Sequence, residues 1–272
     1  MLGNLPPVVS REEWLSARKE LLRKEKAATK TRDELNAERR MLPMLRVDKE
    51  YVFEGPRGPV SLRDLFEGRP QLVVHHFMFA PKWDTACPSC SSAADGISGL
   101  RQLHARNTSL VAVSRAPYEK IAAYEQRMGW TFPWYSSFGS HFNYDFHATL
   151  DDREAPVLLH FKNQAELEAD GTPWDGKPWD ESMRGTEVPG ISVFAQIDGE
   201  VFLTYSTFGR GIEEFHHGYP YLDLTLMGRQ EEWEEPKGRA TPLGRQAGGP
   251  NLRLPDEYAS HVHHDQPGGS CN

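Results

Sequence analysis

Two cysteines separated by two residues, in Cys87-Pro88-Ser89-Cys90, lie between a segment typical of a buried strand and a segment with helical character. The strand is predicted over Gln71 to Phe79, which is rich in β-branched and aromatic residues, and the helix over Ser91 to Arg106. At the start of a helix, unpaired backbone amides favour a thiolate on the first cysteine, and the second cysteine follows one turn later. We therefore expect Cys87 to attack an oxidised sulfur or a peroxide and Cys90 to resolve the product.

The cysteine pair has two other interpretations. One is half of a structural zinc site, although the usual partner, a second Cys-x-x-Cys or a His-x-x-x-His at finger spacing, is missing from the sequence. The other is inert packing. Besides the pair there is only Cys271, which is too few cysteines for a secreted disulfide scaffold, and the N-terminus lacks the features of a secretion signal. We expect the protein in the cytoplasm, where thiols stay reduced.

Charge and hydropathy argue against two kinds of partner. The net charge of −8 disfavours nucleic acid, because binding phosphates requires a basic surface. The longest apolar runs, such as Leu72 to Val74, are too short to cross a membrane. A length of 272 residues suits one domain with extensions.

The chain divides into three parts by composition. We predict an N-terminal helical arm over residues 1–45, a domain over residues 46–235 with an insertion at about 151–188, and a polar tail rich in Gly and Pro over residues 236–272. In the arm, Ser10-Arg-Glu-Glu13 forms a capping box that predicts one long or two short helices to about Met41. Because its apolar residues are sparse, the arm is expected to lie on a surface or to contact a second subunit in a homodimer.

A second mark of the fold lies downstream of the cysteines. Val188-Pro189 precedes a predicted strand, Gly190 to Gln196, and Asp198-Gly199 joins that strand to Glu200 to Tyr205 in a hairpin. Thioredoxin folds carry a cis-proline in this place, facing the cysteine pair. A further strand at Ser109 to Ser114 completes the order strand, Cys-x-x-Cys, helix, strand. Together these features predict an α/β fold of the thioredoxin type.

Several longer segments share one resemblance. They are Leu72-Val-Val-His-His-Phe-Met-Phe79, the Cys-Pro-Ser-Cys pair, Val113-Ser-Arg-Ala-Pro117, Arg127-Met-Gly-Trp-Thr-Phe-Pro-Trp134, Phe142-Asn-Tyr-Asp-Phe-His147 and Tyr205-Ser-Thr-Phe-Gly-Arg-Gly211. With them the chain resembles, over nearly its whole length, the bacterial thioredoxin-like domain-of-unknown-function family 899 (DUF899), within the peroxiredoxin-like group. The resemblance implies a mixed central sheet flanked by helices. It implies no particular activity, because the family has no settled one.

Residues near the pair are candidates for supporting roles. Peroxiredoxins place Pro-x-x-x-Thr-x-x-Cys around the peroxidatic cysteine, and here Thr85 stands one residue nearer to Cys87 than in that motif. Trp83 is expected to be a packing anchor, with shielding of the sulfur or lining of a substrate cleft as alternatives. Arg115 follows a predicted strand, and we expect it either to steer an anion and support the thiolate or to lie on the surface.

Polar and aromatic residues alternate from His141 to His147. In a strand, this alternation places His141, Asp145 and His147 on one side and three aromatic rings on the other. Imidazoles suit copper, zinc or iron, and a carboxylate serves as a further ligand or orients a histidine. The alternative is a half-exposed strand whose polar side faces water.

Two further histidines, His75 and His76, are adjacent on the predicted central strand. Adjacent strand residues point to opposite sides of a sheet. Only one of them can therefore approach the cysteines, and we expect the other to be a hydrogen-bonded core histidine.

The sequence supports three hypotheses about function. The first is a thiol-disulfide oxidoreductase or thiol-dependent reductase, which acts on a small-molecule or protein disulfide or a peroxide, needs an external reductant and requires no cofactor. The second is a copper-dependent or other transition-metal enzyme or carrier that uses His141 and His147, with Asp145 or the cysteines. The third is a non-catalytic module that binds a partner through the N-terminal arm.

Overall fold

A mixed sheet runs through the centre of the protein. The computed structural model describes residues 5–97, 99–169, 180–231, 233–237 and 251–258. The strands are β1 (Leu45–Arg46), β2 (Val52–Gly55), β3 (Gly58–Ser61), β4 (Gln71–His76), β5 (Thr108–Ser114), β6 (Trp134–Ser136), β7 (Thr149–Leu150), β8 (Thr186–Glu187), β9 (Gly190–Ile197) and β10 (Glu200–Phe208). The α-helices are α1 (Arg11–Arg39), α2 (Pro88–Ala94), α3 (Arg101–His104), α4 (Tyr118–Met128), α5 (Phe142–Asp145), α6 (Gln164–Ala169) and α7 (Tyr219–Leu222).

The order of the strands identifies the fold. Eight of them form one sheet in the order β1-β10-β9-β4-β5-β6-β2-β3, and β7 pairs with β8 in a separate ribbon. β4 and β5 are parallel and are connected through α2 and α3, whereas β9 is antiparallel to β4 and to β10. The four strands β10-β9-β4-β5, with the cysteine helix after β4, form the core of a thioredoxin-like fold. The predicted fold class, a mixed central sheet flanked by helices, is therefore confirmed.

The two sides of β4 explain why the core has two parts. Leu72 and Val74 point to one side, where they pack with Phe194 and with Phe142 of α5. Beyond the strand, Phe77 and Phe79 pack on the other side with Cys90 of α2 and with α4. The period of two along an extended chain produces this division, and the cysteine helix consequently has a buried apolar face beneath it.

The N-terminal arm is one continuous helix, α1. Its capping box is present, because Ser10 Oγ accepts a hydrogen bond from Glu13 N (3.2 Å) while the Glu13 carboxylate accepts one from Ser10 N (2.9 Å). The helix contains no buried residue and contacts the domain through polar groups, such as the ion pair between Arg32 and Glu214 (3.2 Å). None of the helices in the described ranges is long and apolar enough to cross a membrane.

The predicted strand over His141 to His147 is wrong, since Phe142–Asp145 forms the short helix α5. Phe142 and Phe146 are four residues apart, and on a helix this spacing brings both rings to the same side. Their ring centroids are 4.7 Å apart, and both rings lie in the core. The same two positions also fit an alternating strand pattern, so the sequence alone did not separate the two structures. The helix predicted over Ser91 to Arg106 is likewise divided into the end of α2 and α3.

The insertion and the tail are partly described. The β7–β8 ribbon joins the two ends of the predicted insertion, whose residues 170–179 lie outside the described ranges. In the tail, residues 251–258 pack on α2 and α4: Leu254 is 4% exposed in the cluster that contains Cys90, and Asp256 pairs with Arg127 at 2.6 Å. Residues 238–250 and 259–272, which include Cys271, lie outside the described ranges.

We expect Leu254→Ala to lower the free energy of unfolding by about 2 kcal/mol or more, because it removes a buried side chain and leaves a cavity beside the cysteine helix. Leu224→Ala is the matched control: Leu224 is 84% exposed, and its replacement should change stability by less than about 0.5 kcal/mol. Urea denaturation of both variants makes the comparison. Equal stabilities would contradict the docking of residues 251–258 on the domain.

Candidate active site

Cys87 is the N-cap residue of α2, and Pro88 occupies the first helical position. Proline suits that position because its fixed φ matches the helix and it lacks an N–H that would go unpaired. Two backbone hydrogen bonds fix the cysteine: Cys87 N donates to Met78 O (3.1 Å), and Ser91 N donates to Cys87 O (2.9 Å). The loop after β4 is thus tied to the first turn of the helix, as the sequence predicted for this pair.

The two thiols lie in different environments. Cys87 is partly exposed, Cys90 is 2% exposed, and both are free. A hydrogen bond from the Cys90 thiol, with help from the backbone N–H groups of Cys90 and Ser89, lowers the pKa of Cys87 to about 7 against the opposing effect of burial. Near neutral pH a large fraction of Cys87 is therefore thiolate, the form that attacks.

Cys90 has the opposite tendency. The hydrogen bond that it donates to Cys87, its burial, and the negative charges of Cys87 and Glu187 all raise its pKa. Cys90 thus stays protonated while Cys87 is ionised, which matches an exposed nucleophile backed by a resolving thiol.

A pair of hydroxyl groups supports the cysteine turn from behind. Ser91 Oγ donates to Cys87 O (2.9 Å) and lies 2.9 Å from the hydroxyl of Tyr124 on α4. Thr85 is exposed at the surface of the loop and its hydroxyl interacts with that of Tyr124. Ser91 and Tyr124 were not predicted as site residues. Ser91 could have been predicted from its position, because a serine four residues after Cys87 on a helix can donate its hydroxyl to the Cys87 carbonyl.

Arg115 is part of a buried cluster. Its side chain is 15% exposed, and its Nε donates to Glu187 Oε1 (2.7 Å), while Thr149 Oγ1 donates to Glu187 Oε2 (2.8 Å). Arg115 also donates to the hydroxyl of Tyr144. The alternative that Arg115 is a surface arginine is therefore wrong, because it partners a carboxylate that is 1% exposed.

Glu187 is the residue that links this cluster to the sulfurs. Burial raises its own pKa, and the charge of Arg115 opposes that shift. Its negative charge contributes to the raised pKa of Cys90. Glu187 was not predicted as a site residue, because its partners Arg115 and Thr149 are 72 and 38 residues away in the chain.

Pro189 directly precedes β9. It lies at the edge of the sheet where β4 ends, because Gly190, the first residue of β9, pairs with His76, the last residue of β4. The expected cis bond is wrong: among the described residues only Glu235-Pro236 is cis. With the trans bond, Val188 N donates to Ala148 O (2.8 Å) and Pro189 O accepts from Gly209 N (2.9 Å). The segment therefore continues the hydrogen bonding of the β7–β8 ribbon into the main sheet.

Trp83 lies on the loop that leads to Cys87. It is 38% exposed, so the interpretation as a packing anchor is wrong. Its carbonyl accepts a hydrogen bond from Lys120 Nζ (2.8 Å), which also binds Pro81 O (3.0 Å). Lys120 of α4 thus holds the loop, while the indole remains partly accessible at its surface.

The residues predicted as metal ligands are not assembled as expected. His141 is exposed, 3.7 Å from Glu154, and Asp145 forms an ion pair with Lys49 at 2.6 Å. His147 Nδ1 is buried without a hydrogen-bond partner, and burial lowers the pKa of this imidazole. Within the described ranges, no three His, Cys, Asp or Glu side chains form a group that could hold a metal ion.

The two adjacent histidines of β4 point to opposite sides of the sheet, as predicted. His76 Nε2 lies 2.7 Å from Ser192 Oγ and is the hydrogen-bonded core histidine. His75 lines a cavity on the side that carries α2.

Comparison with known proteins establishes the family. Residues 3–258 match the family described as bacterial protein of unknown function (DUF899), and the chain belongs to it. Among solved structures it is similar to a cysteine-to-serine mutant of PrxQ from Xylella fastidiosa, with 12% identity, coverage of 63% of this chain and 88% of that chain, and a TM-score of 0.41. It is also similar to the peroxidoxin BcpB from Mycobacterium tuberculosis, with 16% identity, coverage of 62% and 85%, and a TM-score of 0.36. No curated protein matches the chain.

Substitutions of Cys90 test how much of the lowered pKa of Cys87 comes from the hydrogen bond that Cys90 donates. We expect Cys90→Ala to raise the pKa of Cys87 from about 7 toward about 8.5, the ordinary value of a cysteine. Cys90→Ser keeps a hydroxyl donor and should raise it less. The pH dependence of iodoacetamide alkylation, in a Cys271→Ser background so that one reactive thiol is followed, gives the pKa. The same pKa in all three proteins would contradict the hydrogen bond.

Proposed function

We propose that the protein is a thiol-disulfide oxidoreductase or thiol-dependent reductase in which Cys87 is the nucleophile and Cys90 the resolving thiol. The proposal rests chiefly on one observation: the partly exposed sulfur of Cys87, with a pKa of about 7, accepts a hydrogen bond from the buried thiol of Cys90. Such an asymmetric dithiol has a reactive member and a protected member, which is what disulfide exchange requires.

With a disulfide substrate, the Cys87 thiolate attacks one sulfur, and the S–S bond of the substrate breaks as the Cys87–S bond forms. The released thiolate takes a proton from water. Cys90 then loses its proton and attacks Cys87, which releases the second substrate thiol and leaves a Cys87–Cys90 disulfide. The substrate has gained two electrons, and an external dithiol returns them to the protein.

With a peroxide, the thiolate attacks one oxygen, and the O–O bond breaks to release an alcohol or water. Cys87 becomes a sulfenic acid, and attack by Cys90 expels water and forms the same disulfide. Both reactions leave a Cys87–Cys90 disulfide, which the same external reductant reduces. We propose that this reductant is cytoplasmic.

The pKa of Cys90 controls the order of two steps, the reaction of Cys87 with the substrate and the later attack by Cys90. Its hydrogen bond to Cys87 and the charge of the Cys87 thiolate both hold the proton on Cys90. When Cys87 becomes a mixed disulfide or a sulfenic acid, that charge is lost, and Cys90 ionises more readily. The buried charge of Glu187 raises the pKa of Cys90 in both steps, so we propose that loss of the Cys87 thiolate charge is the change that allows Cys90 to ionise.

The test follows thiol turnover with bis(2-hydroxyethyl) disulfide and, separately, hydrogen peroxide as oxidants and dithiothreitol as reductant. Cys87→Ser should reduce the rate to that without protein, because serine is not ionised at neutral pH. With oxidant but without dithiothreitol, Cys90→Ser should react once and retain on Cys87 a mixed disulfide after the disulfide substrate or a sulfenic acid after hydrogen peroxide, visible by intact mass spectrometry. Cys271→Ser, the matched control, should keep full activity. Unchanged rates in Cys87→Ser would overturn the proposal.

A transition-metal role for His141, Asp145 and His147 is the alternative proposal. Its support is the buried Nδ1 of His147, which has no hydrogen-bond partner and lies near the carboxylate of Asp145. Copper, which imidazole ligands suit, would be the first metal to examine. Metal analysis of the purified protein and of His147→Ala decides this proposal: equal metal content in the two proteins refutes it.

We also propose that α1 mediates homodimerisation. Trp14, Leu21 and Leu35 are exposed and lie at multiples of seven residues, so they form a stripe along one side of the helix. Covering this stripe with the same helix of a second copy would remove apolar surface from water. Light scattering should give a dimer for the wild type and for the control Lys24→Glu, and a monomer for Leu21→Glu. A monomeric wild type contradicts the proposal.

A further inference from the structure

A cavity of about 460 Å³ lies on the side of the sheet that carries the cysteine helix. Its floor includes Val73 and His75 of β4 and Ile191 of β9, and its walls include Ala93 of α2 and Leu103 of α3. Most of its lining is apolar, and its polar side chains are His75, Gln102, Glu214 and His217. The volume falls in the range of small-molecule sites, which are mostly apolar with a few polar groups that orient the ligand.

The cavity exists because short elements cover this part of the sheet. α2 ends at Ala94 and α3 begins only at Arg101, while the chain after β10 forms a 3₁₀ segment over Gly209–Phe215. His217, which also lines the cavity, lies against Gly96, since a Cβ on that glycine would be 2.4 Å from the Cβ of His217. The cavity is therefore formed by the chain that connects β4 to β5.

His75 is the polar group on the floor of this cavity. It is 6% exposed, and no hydrogen bond to its ring is formed by any residue in the described ranges. Burial lowers its pKa to about 4, so the imidazole is neutral at physiological pH and offers one donor and one acceptor. On the other side of the sheet, His76 Nε2 lies beside Ser192 Oγ, and its Nδ1 is buried without a partner. The ring nitrogens of His75 are not among the fully buried atoms that lack a partner, so they are accessible from the cavity that this residue lines, and a ligand that hydrogen-bonds to one of them gains affinity.

We propose that this cavity binds a small uncharged molecule with an aromatic or aliphatic body and one hydroxyl or carbonyl group that hydrogen-bonds to His75. The apolar walls exclude a charged ligand, because they offer no compensation for lost hydration. The carboxylate of Glu214, also part of the lining, is already paired with Arg32 at 3.2 Å. This site is separate from the proposed thiol chemistry, so either proposal can fail without the other.

Three probes of one shape test the proposal. 2-Naphthol has an apolar body and one hydroxyl, naphthalene lacks the hydroxyl, and 2-naphthoate carries a charge in its place. Titrations of the full chain followed by fluorescence and by ¹⁵N chemical shifts should place 2-naphthol beside β4, α2 and α3. Naphthalene should bind about five- to tenfold more weakly, the value of one hydrogen bond, and 2-naphthoate at least about tenfold more weakly. Chemical-shift changes located elsewhere would overturn the site.

Two variants separate the cavity from the histidine. Ala93→Phe fills the space and should abolish 2-naphthol binding, whereas the matched control Ala105→Phe introduces the same side chain at an exposed position and should leave binding unchanged. His75→Phe should make 2-naphthol and naphthalene bind equally. Binding that survives Ala93→Phe refutes the cavity site. Discrimination between the two probes that survives His75→Phe refutes the role of the imidazole.

Discussion

The hydrogen bond from the Cys90 thiol to the Cys87 sulfur is the interaction on which the proposed active site depends. It exists because α2 starts at Cys87 and brings the side chain of Cys90 back toward the helix N-terminus, one turn later. It lowers the pKa of one thiol and raises that of the other, so that two chemically identical groups acquire different roles. The fold contributes by fixing where α2 begins, through the bond from Cys87 N to Met78 O and the hydroxyl of Ser91 on the Cys87 carbonyl.

The surroundings of this pair come from three strand ends that meet at one edge of the sheet. β4 leads to the cysteines, β5 leads to Arg115, and β9 starts after Pro189. The β7–β8 ribbon brings Glu187 to the same edge and buries its carboxylate against Arg115 and Thr149. A buried ion pair of this kind contributes little net stability. The Glu187 carboxylate nevertheless affects Cys90, because its negative charge raises the pKa of that thiol.

The sequence was sufficient for the central fold because the signals there are local and redundant. The apolar run before Cys87, the Asp198-Gly199 turn and the capping box at Ser10 each predicted an element that the structure contains. It was misleading at His141 to His147, where rings at positions 142 and 146 satisfy both a strand and a helix. It was silent about Glu187, whose partners Arg115 and Thr149 are 72 and 38 residues away in the chain. Pairings of that range depend on the assembled sheet, and no local pattern encodes them.

The central claim, that Cys87 and Cys90 act as one redox pair, is tested most directly by peptide mapping of the wild-type protein after reaction with a single equivalent of hydrogen peroxide. The account predicts loss of two thiols per protein, a disulfide that joins Cys87 to Cys90, and full recovery of both thiols with dithiothreitol. A disulfide that involves Cys271, or a persistent sulfenic acid on Cys87 beside an unreacted Cys90 thiol, would contradict it.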